Sequence, residues 1–562
     1  FRSKQFNRKR SIAALTLATA MLLTACGGGT TVSVNDMSEA DKKIADAVKK
    51  HQYPFVPEGE DISVTIGVGS NSNVSDFDTN KFTLWLEKQT GLDLKFNVFA
   101  EGMEKVKIML AADDDQLPEM FSGFQFDDGT LIKYGAEGEG IFVDLGPYMD
   151  EYGYYIDNAI EKSKVDVEKF LLSADGHRYF MPYIVEQEGN VYSGKAWINK
   201  TWLNKLGLKM PTTTEELRSV LKEFVTKDPN GNGKKDELGI TGAKDGYRQI
   251  PWHFLMNSFI YDDQSNYYNV DNKGKLSLAY TKDEFKEGLK YIHSLAKEGL
   301  FDTESFSQDN ATLKTVCQLD DNIVGMVTTG SPDNIFSAVP ERMLDYEAIP
   351  NLKGPKGVAW AFRQARDARV NGTVTKYCKN PLAAFALMDF MLSKDASIFA
   401  RYGEEGPDWR KATDKDKSLF ENIGIKATIV PILQYGSPQN SHWQAANPQF
   451  RYSEIADGMA WDGNPTNGEK IKADAITAYY EKGPDKIVQK QLFTEEENEE
   501  FVELNETLKT FLATNIASFI TGTRDIDKEW DKFQQELKSY NVDRFLELSQ
   551  IGYDRFEKGK AR

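Results

Sequence analysis

The sequence predicts an α/β fold in two or more domains, and three observations carry that prediction. Residues 61–112 pass twice through a strand pattern followed by a helix pattern, the rhythm of a layered, largely parallel sheet. The chain has 562 residues, more than one hydrophobic core usually encloses. Residues 470–556 read almost wholly helical, so the later part of the chain is helix-rich.

Each element has a local reason. Ile62-Ser63-Val64-Thr65-Ile66-Gly67-Val68 alternates as a strand. Phe82, Trp85 and Leu86 share a helix face that ends before Gly91. Leu94, Phe96 and Val98 alternate again, and Met103, Val106, Met109 and Leu110 return to helical spacing. Pro118–Phe121 begins a third strand, with Ser122-Gly123-Phe124-Gln125 at its carboxyl end. Ligands of open α/β sheets sit at strand carboxyl ends near the switch in strand order, which directs attention there and to Asn71–Ser75. Asp175–Tyr183 is a turn leading into an extended crossing, and Trp197–Lys200 opens a second region. Pro211–Leu217 starts a helix with a capping-box signature. Phe285, Leu289, Ile292 and Leu295 form one helical stripe; Phe501, Leu504, Leu508, Phe511 and Leu512 form another. Pro381–Leu392, interrupted by Asp389, is expected to be an amphipathic helix.

The start of the chain reads as a lipoprotein leader. Arg2, Lys4, Arg8, Lys9 and Arg10 precede the apolar run Ile12–Leu23, which closes on the lipobox Leu23-Thr24-Ala25-Cys26. That run is shorter than the roughly 20 residues of a spanning helix. Residues 1–25 are therefore expected to be a signal peptide, with diacylglycerol on Cys26, and residues 26–58 a lipid-anchored flexible linker. The expected location is the extracellular face of a cell membrane, and the expected state is monomeric. The net charge of −18 grows more negative once the basic leader is removed. No Lys/Arg cluster follows Cys26, so nucleic acid is excluded as a partner. Cys317 and Cys378 could pair in an oxidising compartment or stay reduced; the unpaired state is favoured.

Asp228-Pro229-Asn230-Gly231-Asn232-Gly233-Lys234-Lys235-Asp236-Glu237 is the sharpest motif. Asp228, Asn230, Asn232 and Asp236 occupy calcium-loop positions, Gly233 permits the sharp turn, and the Lys234 carbonyl can join them. The last acidic position of an EF-hand is Gly239 here, and Glu237 can supply the missing carboxylate. A structural Ca2+ is expected; the alternative is an Asn/Gly-rich turn without an ion. Catalytic signals are absent: His51, His177, His253, His293 and His442 form no metal spacing, and no nucleophile elbow or phosphate loop occurs. Asp457, Asp462 and Glu404-Glu405 read as solvated or loop-capping, and no enzyme is expected. Trp252, Trp360, Trp409, Trp443 and Trp461 sit in Gly/Pro/polar contexts, where an indole face could stack on a sugar or could pack in a core. Trp85 and Trp530, on helical stripes, are expected to pack.

Taken together, these pieces resemble the family 1 extracellular solute-binding lipoproteins of ABC importers, which are maltose-binding-protein-like. The resemblance rests on the lipobox, Leu110–Met120, Asp175–Pro182, Trp197–Lys200, Leu206–Thr213, Ile349–Pro355, Tyr402–Trp409 and Gln550–Phe556. The Asp228 loop is similar to that of large Gram-positive lipoproteins and of alginate-oligosaccharide binders, where it holds calcium. The resemblance implies a two-lobed, type II periplasmic-binding-protein-like fold with a helix-rich second lobe. Residues 59–183 and 350–400 would form the first lobe, and 184–349 and 401–562 the second. It further implies an oligosaccharide in the interlobe cleft and a membrane permease as partner. By motif neighbourhood it places Ser122, Gln125, Glu186, Tyr247, Trp252, Ser331, Asp333, Trp360 and Trp443 at the ligand. The acidic surface favours a neutral oligosaccharide. A surface-anchored glycoside hydrolase, or a peptide-binding or sensor protein of the same fold, are the rival readings.

Overall fold

A computed structural model describes residues 37–559. The leader, Cys26 and the Gly-rich stretch lie outside the described residues. The strands are β1 (Ser63–Gly69), β2 (Asp93–Phe99), β3 (Met120–Ser122), β4 (Met181–Val185), β5 (Ala196–Asn199), β6 (Leu238–Thr241), β7 (Tyr268–Val270), β8 (Leu276–Leu278), β9 (Val324–Thr328), β10 (Tyr346–Ala348), β11 (Asp367–Val374), β12 (Trp409–Lys411), β13 (Ile429–Pro431) and β14 (Gln449–Arg451).

Two sheets organise them. The first runs β14-β4-β11-β3-β1-β2 and the second β10-β5-β9-β6. In the first, β1 is parallel to β2 and β3, and β14 is parallel to β4. Only β11 opposes its neighbours β3 and β4. The carboxyl ends of β1, β2, β3, β4 and β14 therefore share one edge, at which β11 enters. In the second sheet β6 and β9 are parallel, while β5 opposes both β9 and β10. The ends of β6, β9 and β10 thus lie beside the start of β5. The chain passes from β4 to β5, from β10 to β11, and onward after β14, always through these two edges, which consequently face each other across a cleft. The molecule is two-lobed.

The first core surrounds the central strands, whose near-continuous apolar faces suit a sheet covered on both sides. Gly67 is required where β1 meets β3, because a Cβ there would lie 2.6 Å from the Pro118 ring. The helix Pro381–Met391 is not amphipathic: Leu382 through Met391 are all buried. Asp389 enters the core because its carboxylate accepts the backbone N–H groups of Tyr154, Tyr155 and Ile156 at 3.2, 3.1 and 2.8 Å.

Two boundaries differ from the sequence reading. Residues 38–56 are not flexible linker: the helix Glu39–Lys49 buries Ile44 and Val48. Its Asp41 accepts the N–H groups of Leu382 and Ala383, both at 3.1 Å, capping the buried helix. Within 401–562, residues 439–452 belong to the first lobe. There β14 extends the first sheet, and fully buried Trp443 packs against Phe77, Phe82 and Phe96. Its indole N–H donates to Thr83 Oγ1 at 2.8 Å.

The second core gathers Phe224, Ile240, Phe285, Leu289, Phe519 and Phe533 around the second sheet. The helix Thr214–Thr226 begins with the expected Thr213/Glu216 capping box. The three C-terminal helices, Glu495–Thr521, Ile526–Ser539 and Val542–Lys558, close this lobe. The last of them also reaches back, placing Phe556 5.1 Å from Phe170 in the first core. Cys317 and Cys378 are free and lie in separate cores, which precludes their pairing.

The crossings are pinned to one another. Glu186, buried beyond β4, accepts Ser163 Oγ at 2.9 Å, Lys164 N–H at 2.8 Å and Ser453 N–H at 3.3 Å. Glu188 pairs with Arg366 of the second crossing at 2.7 Å. Asp457 of the third accepts the Glu188 N–H at 3.2 Å. Asp457 is buried, not solvated, and burial, then the Glu188 charge, raises its pKa to about 7.

Trp443→Ala should cost about 3–5 kcal/mol of stability, as removal of a fully buried ring does, measured by urea unfolding. The raised Asp457 pKa means that the native carboxyl holds its proton more tightly than the unfolded one. Its contribution to stability is therefore fully present below the ordinary value near 3.8 and is lost as pH rises toward 7. Unfolding free energies at mildly acidic and neutral pH should show a smaller decline in Asp457→Asn than in the parent chain.

Candidate ligand cleft and cation loop

Each cleft wall is built from loops at the carboxyl ends of strands. On the first wall, the turn after β1 is held by the Ser75 N–H on the Gln439 carbonyl at 3.0 Å. After β3, Ser122 is buried and donates through Oγ to the Ala446 carbonyl at 2.8 Å, so it positions the wall and does not face the cleft. Gly123, at φ +82°, lets the Ala446 backbone approach closely, and Gln125 is exposed beside it. Gln444 and Ala445 hold left-handed φ values of 53° and 63°, strain of the kind that collects at functional sites.

Four residues that sequence reasoning missed complete this wall. Arg401 stacks on the Tyr435 ring, its guanidinium carbon 3.2 Å from the ring centroid. Tyr435 is 47% exposed and donates to the Gln444 carbonyl at 3.2 Å. His442 lies parallel to that ring and accepts the Gln444 N–H through Nδ1 at 3.2 Å. Burial, then the Arg401 charge, pushes the imidazole pKa down to about 4, so it is neutral at physiological pH. Arg451, ending β14, donates to Tyr183 Oη at 3.3 Å. No sequence signal joins these residues, which come from the helix Lys394–Tyr402, the loop after β13 and the end of β14.

The second wall follows β6 and β9. Tyr247 is 46% exposed, and its ring lies over Gly330, where a Cβ would sit 2.1 Å away. The Gly330 N–H donates to the Tyr247 carbonyl at 3.0 Å. Arg248, at φ 61°, stacks 4.0 Å from the Phe362 ring and donates to Gln264 and Gln364 at 3.3 and 3.4 Å. Ser331 donates to Asp333, which packs against Gly468 at the start of the helix Gly468–Asp474, after the loop carrying partly exposed Trp461.

Not every expected contact lies on these walls. Trp252 is buried among His253, Tyr267 and Phe285, and Trp443 is buried in the first core; both indoles serve packing. Glu186 spends its carboxylate on Ser163 and Lys164 of the first lobe and on Ser453 of the third crossing. Trp360, 37% exposed, stands on the second crossing with its N–H on the Asn257 carbonyl. Trp409 is buried and donates to the Gly403 carbonyl at 3.0 Å.

The Asp228 loop is a chain of side chain-to-backbone turns. Asp228, at φ 49°, accepts the N–H groups of Gly231 and Gly233 at 3.0 and 3.1 Å. Asn230 and Asn232 accept those of Asn232 and Lys234 at 3.0 and 2.8 Å. Their amide groups donate to Asp236, and Asn232 does so at 3.1 Å. Among the described residues no three His, Cys, Asp or Glu side chains converge as a metal cluster, so amide and backbone oxygens would have to complete any cation site here. Glu237 carries a buried carboxylate oxygen without a hydrogen-bond partner, and burial, then the charges of Asp228 and Asp236, raises its pKa.

Comparison with known proteins agrees with this architecture. The model of bacterial extracellular solute-binding proteins matches residues 71–398, more than half of the chain. The fructooligosaccharide ABC transporter substrate-binding protein FusA of Streptococcus pneumoniae serotype 4 (strain ATCC BAA-334 / TIGR4) is 24% identical, over 98% of both chains. FusA structures with kestose, and of an EF-hand mutant with fructo-nystose, superpose with TM-scores of 0.67 and 0.65 at 24% identity. Each covers 88% of this chain and 99% of its own. An HMO-binding, ABC-transporter-associated solute-binding protein from Bifidobacterium longum infantis ATCC 15697 gives 0.71 at 21% identity, covering 89% and 100%. With two lobes joined by crossings after β4, β10 and β14 and a matched span of this extent, the chain belongs to the bacterial extracellular solute-binding proteins and has their type II fold.

Proposed function

We propose that this chain is the lipid-anchored extracellular subunit of an ABC importer, capturing an oligosaccharide between its lobes and delivering it to a membrane permease. One observation carries the reading. An exposed aromatic ring stands on each wall, Tyr435 on the first and Tyr247 on the second, each beside hydrogen-bonding side chains. A ring face matches the C–H face of a sugar while neighbouring polar groups bond its hydroxyls. Gln125, Tyr247, Ser331, Asp333 and Trp461 would contact ligand, Trp360 would flank it, and Ser122 and Glu186 would position the walls. The names of the relatives, fructooligosaccharide and HMO binders, support the sugar class. The leader supports a lipid on Cys26. The protein would bind without chemistry, and ligand bridging both walls would favour a closed form over an open one.

A structural Ca2+ in the Asp228 loop fits the donors present. Asp228, Asp236 and Glu237 would supply carboxylates once drawn together by the ion, and the Lys234 carbonyl a backbone oxygen. Asn230 and Asn232 would supply amide oxygens, which also accept backbone N–H groups. The orphaned Glu237 oxygen is the observation that favours it, since a buried carboxylate without a partner is costly unless a cation pairs it. The ion would hold the turn between the helix Thr214–Thr226 and β6.

Small-angle scattering should show a smaller radius of gyration when a bound oligosaccharide is present, and Tyr247→Ala should weaken binding about tenfold, near 1.4 kcal/mol; an unchanged radius with saturating ligand would count against closure. Chelation should lower the unfolding temperature of the parent chain. Calcium at about a hundred times its Kd should restore roughly 2.7 kcal/mol, and Glu237→Gln should abolish most of that response.

A further inference from the structure

We propose that Arg248 is a positioning residue for lobe closure: it fastens the turn that carries the exposed Tyr247 ring to the first two crossings, so that ring and hinge move together. This rests on the reading of Tyr247 as a ligand contact and deepens it, by naming the residue through which that contact reaches the hinge.

Two adjacent side chains are directed to different places. Tyr247 leaves its ring exposed over Gly330, and its carbonyl accepts the Gly330 N–H at 3.0 Å. The chain then turns at Arg248, whose φ is 61°, and the guanidinium meets the second crossing. Its central carbon lies 4.0 Å from the centroid of the Phe362 ring. Its terminal nitrogens donate to Gln264 at 3.3 Å and to Gln364 at 3.4 Å. Phe362 is buried yet joins neither lobe's core, so the cation is a principal cover for that ring.

The first crossing enters through the same groups. The side-chain oxygen of Gln364 also accepts Ser193 Oγ at 3.0 Å, and the Gln364 N–H donates to the Val191 carbonyl at 2.7 Å. Gly194 fits between Phe362 and Gln264 only for want of a side chain. A Cβ there would lie 2.7 Å from the Phe362 Cβ and 2.8 Å from the Gln264 amide nitrogen. One peptide bond thus separates the exposed ring from a cluster that grips two crossings.

This placement is not explained by stability. A left-handed backbone at a non-glycine residue is costly, and so is the buried Arg248 Nε–H, which has no hydrogen-bond partner. Arg248 forms no ion pair among the described residues; its partners are two neutral amide oxygens and a ring. Burial lowers its pKa, and the charges of Asp263 and Asp262 oppose that shift without cancelling it. Both carboxylates are committed to backbone N–H groups, of Tyr267 and Gln264, each at 2.7 Å. Bonds to neutral oxygens are weaker than bonds to carboxylates, so the grip is moderate and can be altered in either direction without changing its shape.

Double electron–electron resonance tests the coupling without a ligand. Nitroxides on Lys107→Cys of the first lobe and Lys222→Cys of the second, both exposed positions, report the spread of interlobe distances. The mature chain would carry Cys26→Ser, and its other cysteines, Cys317 and Cys378, are buried. Arg248→Met keeps a stem over Phe362, loses both amide bonds, and should broaden the distance distribution. Gln364→Glu keeps the shape, gives Arg248 a charged partner, and should narrow it. Arg248→Lys should fall between the Met variant and the parent, since an ammonium cannot span both amides and the ring. Should Arg248→Met unfold, the Lys and Glu variants still decide. Widths that stay at the parent value in Gln364→Glu and in the Arg248 variants overturn the proposal, whatever happens to the unfolding temperature. A calorimetric panel of oligosaccharides that shows no binding, with widths responding as described, counts against the oligosaccharide reading and not against the coupling.

Discussion

The architecture depends on how three chain crossings are held at one place. Glu186, Glu188, Arg366 and Asp457 come from all three: Glu188 bonds Arg366 and Asp457 of the other two, and Glu186 ties Ser453 of the third to Ser163 and Lys164 of the first lobe. Burying that many ionisable groups is tolerable only while the bonds persist, since removing a partner leaves an uncompensated charge. The lobes are joined by this hydrogen-bonded strip and by the C-terminal segment, whose Lys490 pairs with Asp128 at 2.8 Å. A few bonded residues between two packed bodies is the arrangement about which hinge motions of a cleft occur. The C-terminal helix adds a second tie through Phe556 against Phe170, which restricts the direction of that motion.

The edges facing the cleft follow from strand direction. Because β1, β2, β3, β4 and β14 point one way, every loop after them emerges on the same side; the same holds for β6, β9 and β10 in the other sheet. Loops carry no ladder bonds, so the side chains there answer to the ligand and not to the sheet. Left-handed φ values at Gln444, Ala445 and Arg248, none a glycine, are held on both walls by neighbours. Such strain fixes side-chain directions before a ligand arrives, and less ordering remains to be done on binding.

Much of this was legible in the sequence where the signal is local. The alternation of β1 and β2, the Thr213/Glu216 cap, and the loop positions after β3 and β9 depend on neighbours a few residues away. What failed was non-local. Trp252 and Trp443 sit in turn-like contexts that resemble binding loops, yet the loops fold inward, and burial depends on partners such as Phe96 and Tyr267. Asp389 made a buried helix look amphipathic because its partners, the N–H groups of residues 154–156, lie in a distant segment. The helix Glu39–Lys49 read as polar linker because its few apolar residues and Asp41 gain meaning only against residues 380–383. The Arg401 wall draws on residues 183, 401, 435 and 451, and no spacing rule reaches across them.

The Asp228 loop shows how a remote feature can matter to the cleft. It leads directly into β6, and the residues after β6 include Tyr247 and Arg248. The turn is already shaped by backbone N–H groups bonded to Asp228, Asn230 and Asn232, so its conformation does not have to be created by an ion. The cost that remains is at Glu237, whose pKa is raised by burial and then by repulsion from the charges of Asp228 and Asp236. A cation would act on that repulsion, stiffening the entry to β6 instead of reshaping it. Its influence on ligand binding would then come through the rigidity of one wall, a smaller effect than its influence on unfolding, because the lobe's core and not the loop holds the strand in place.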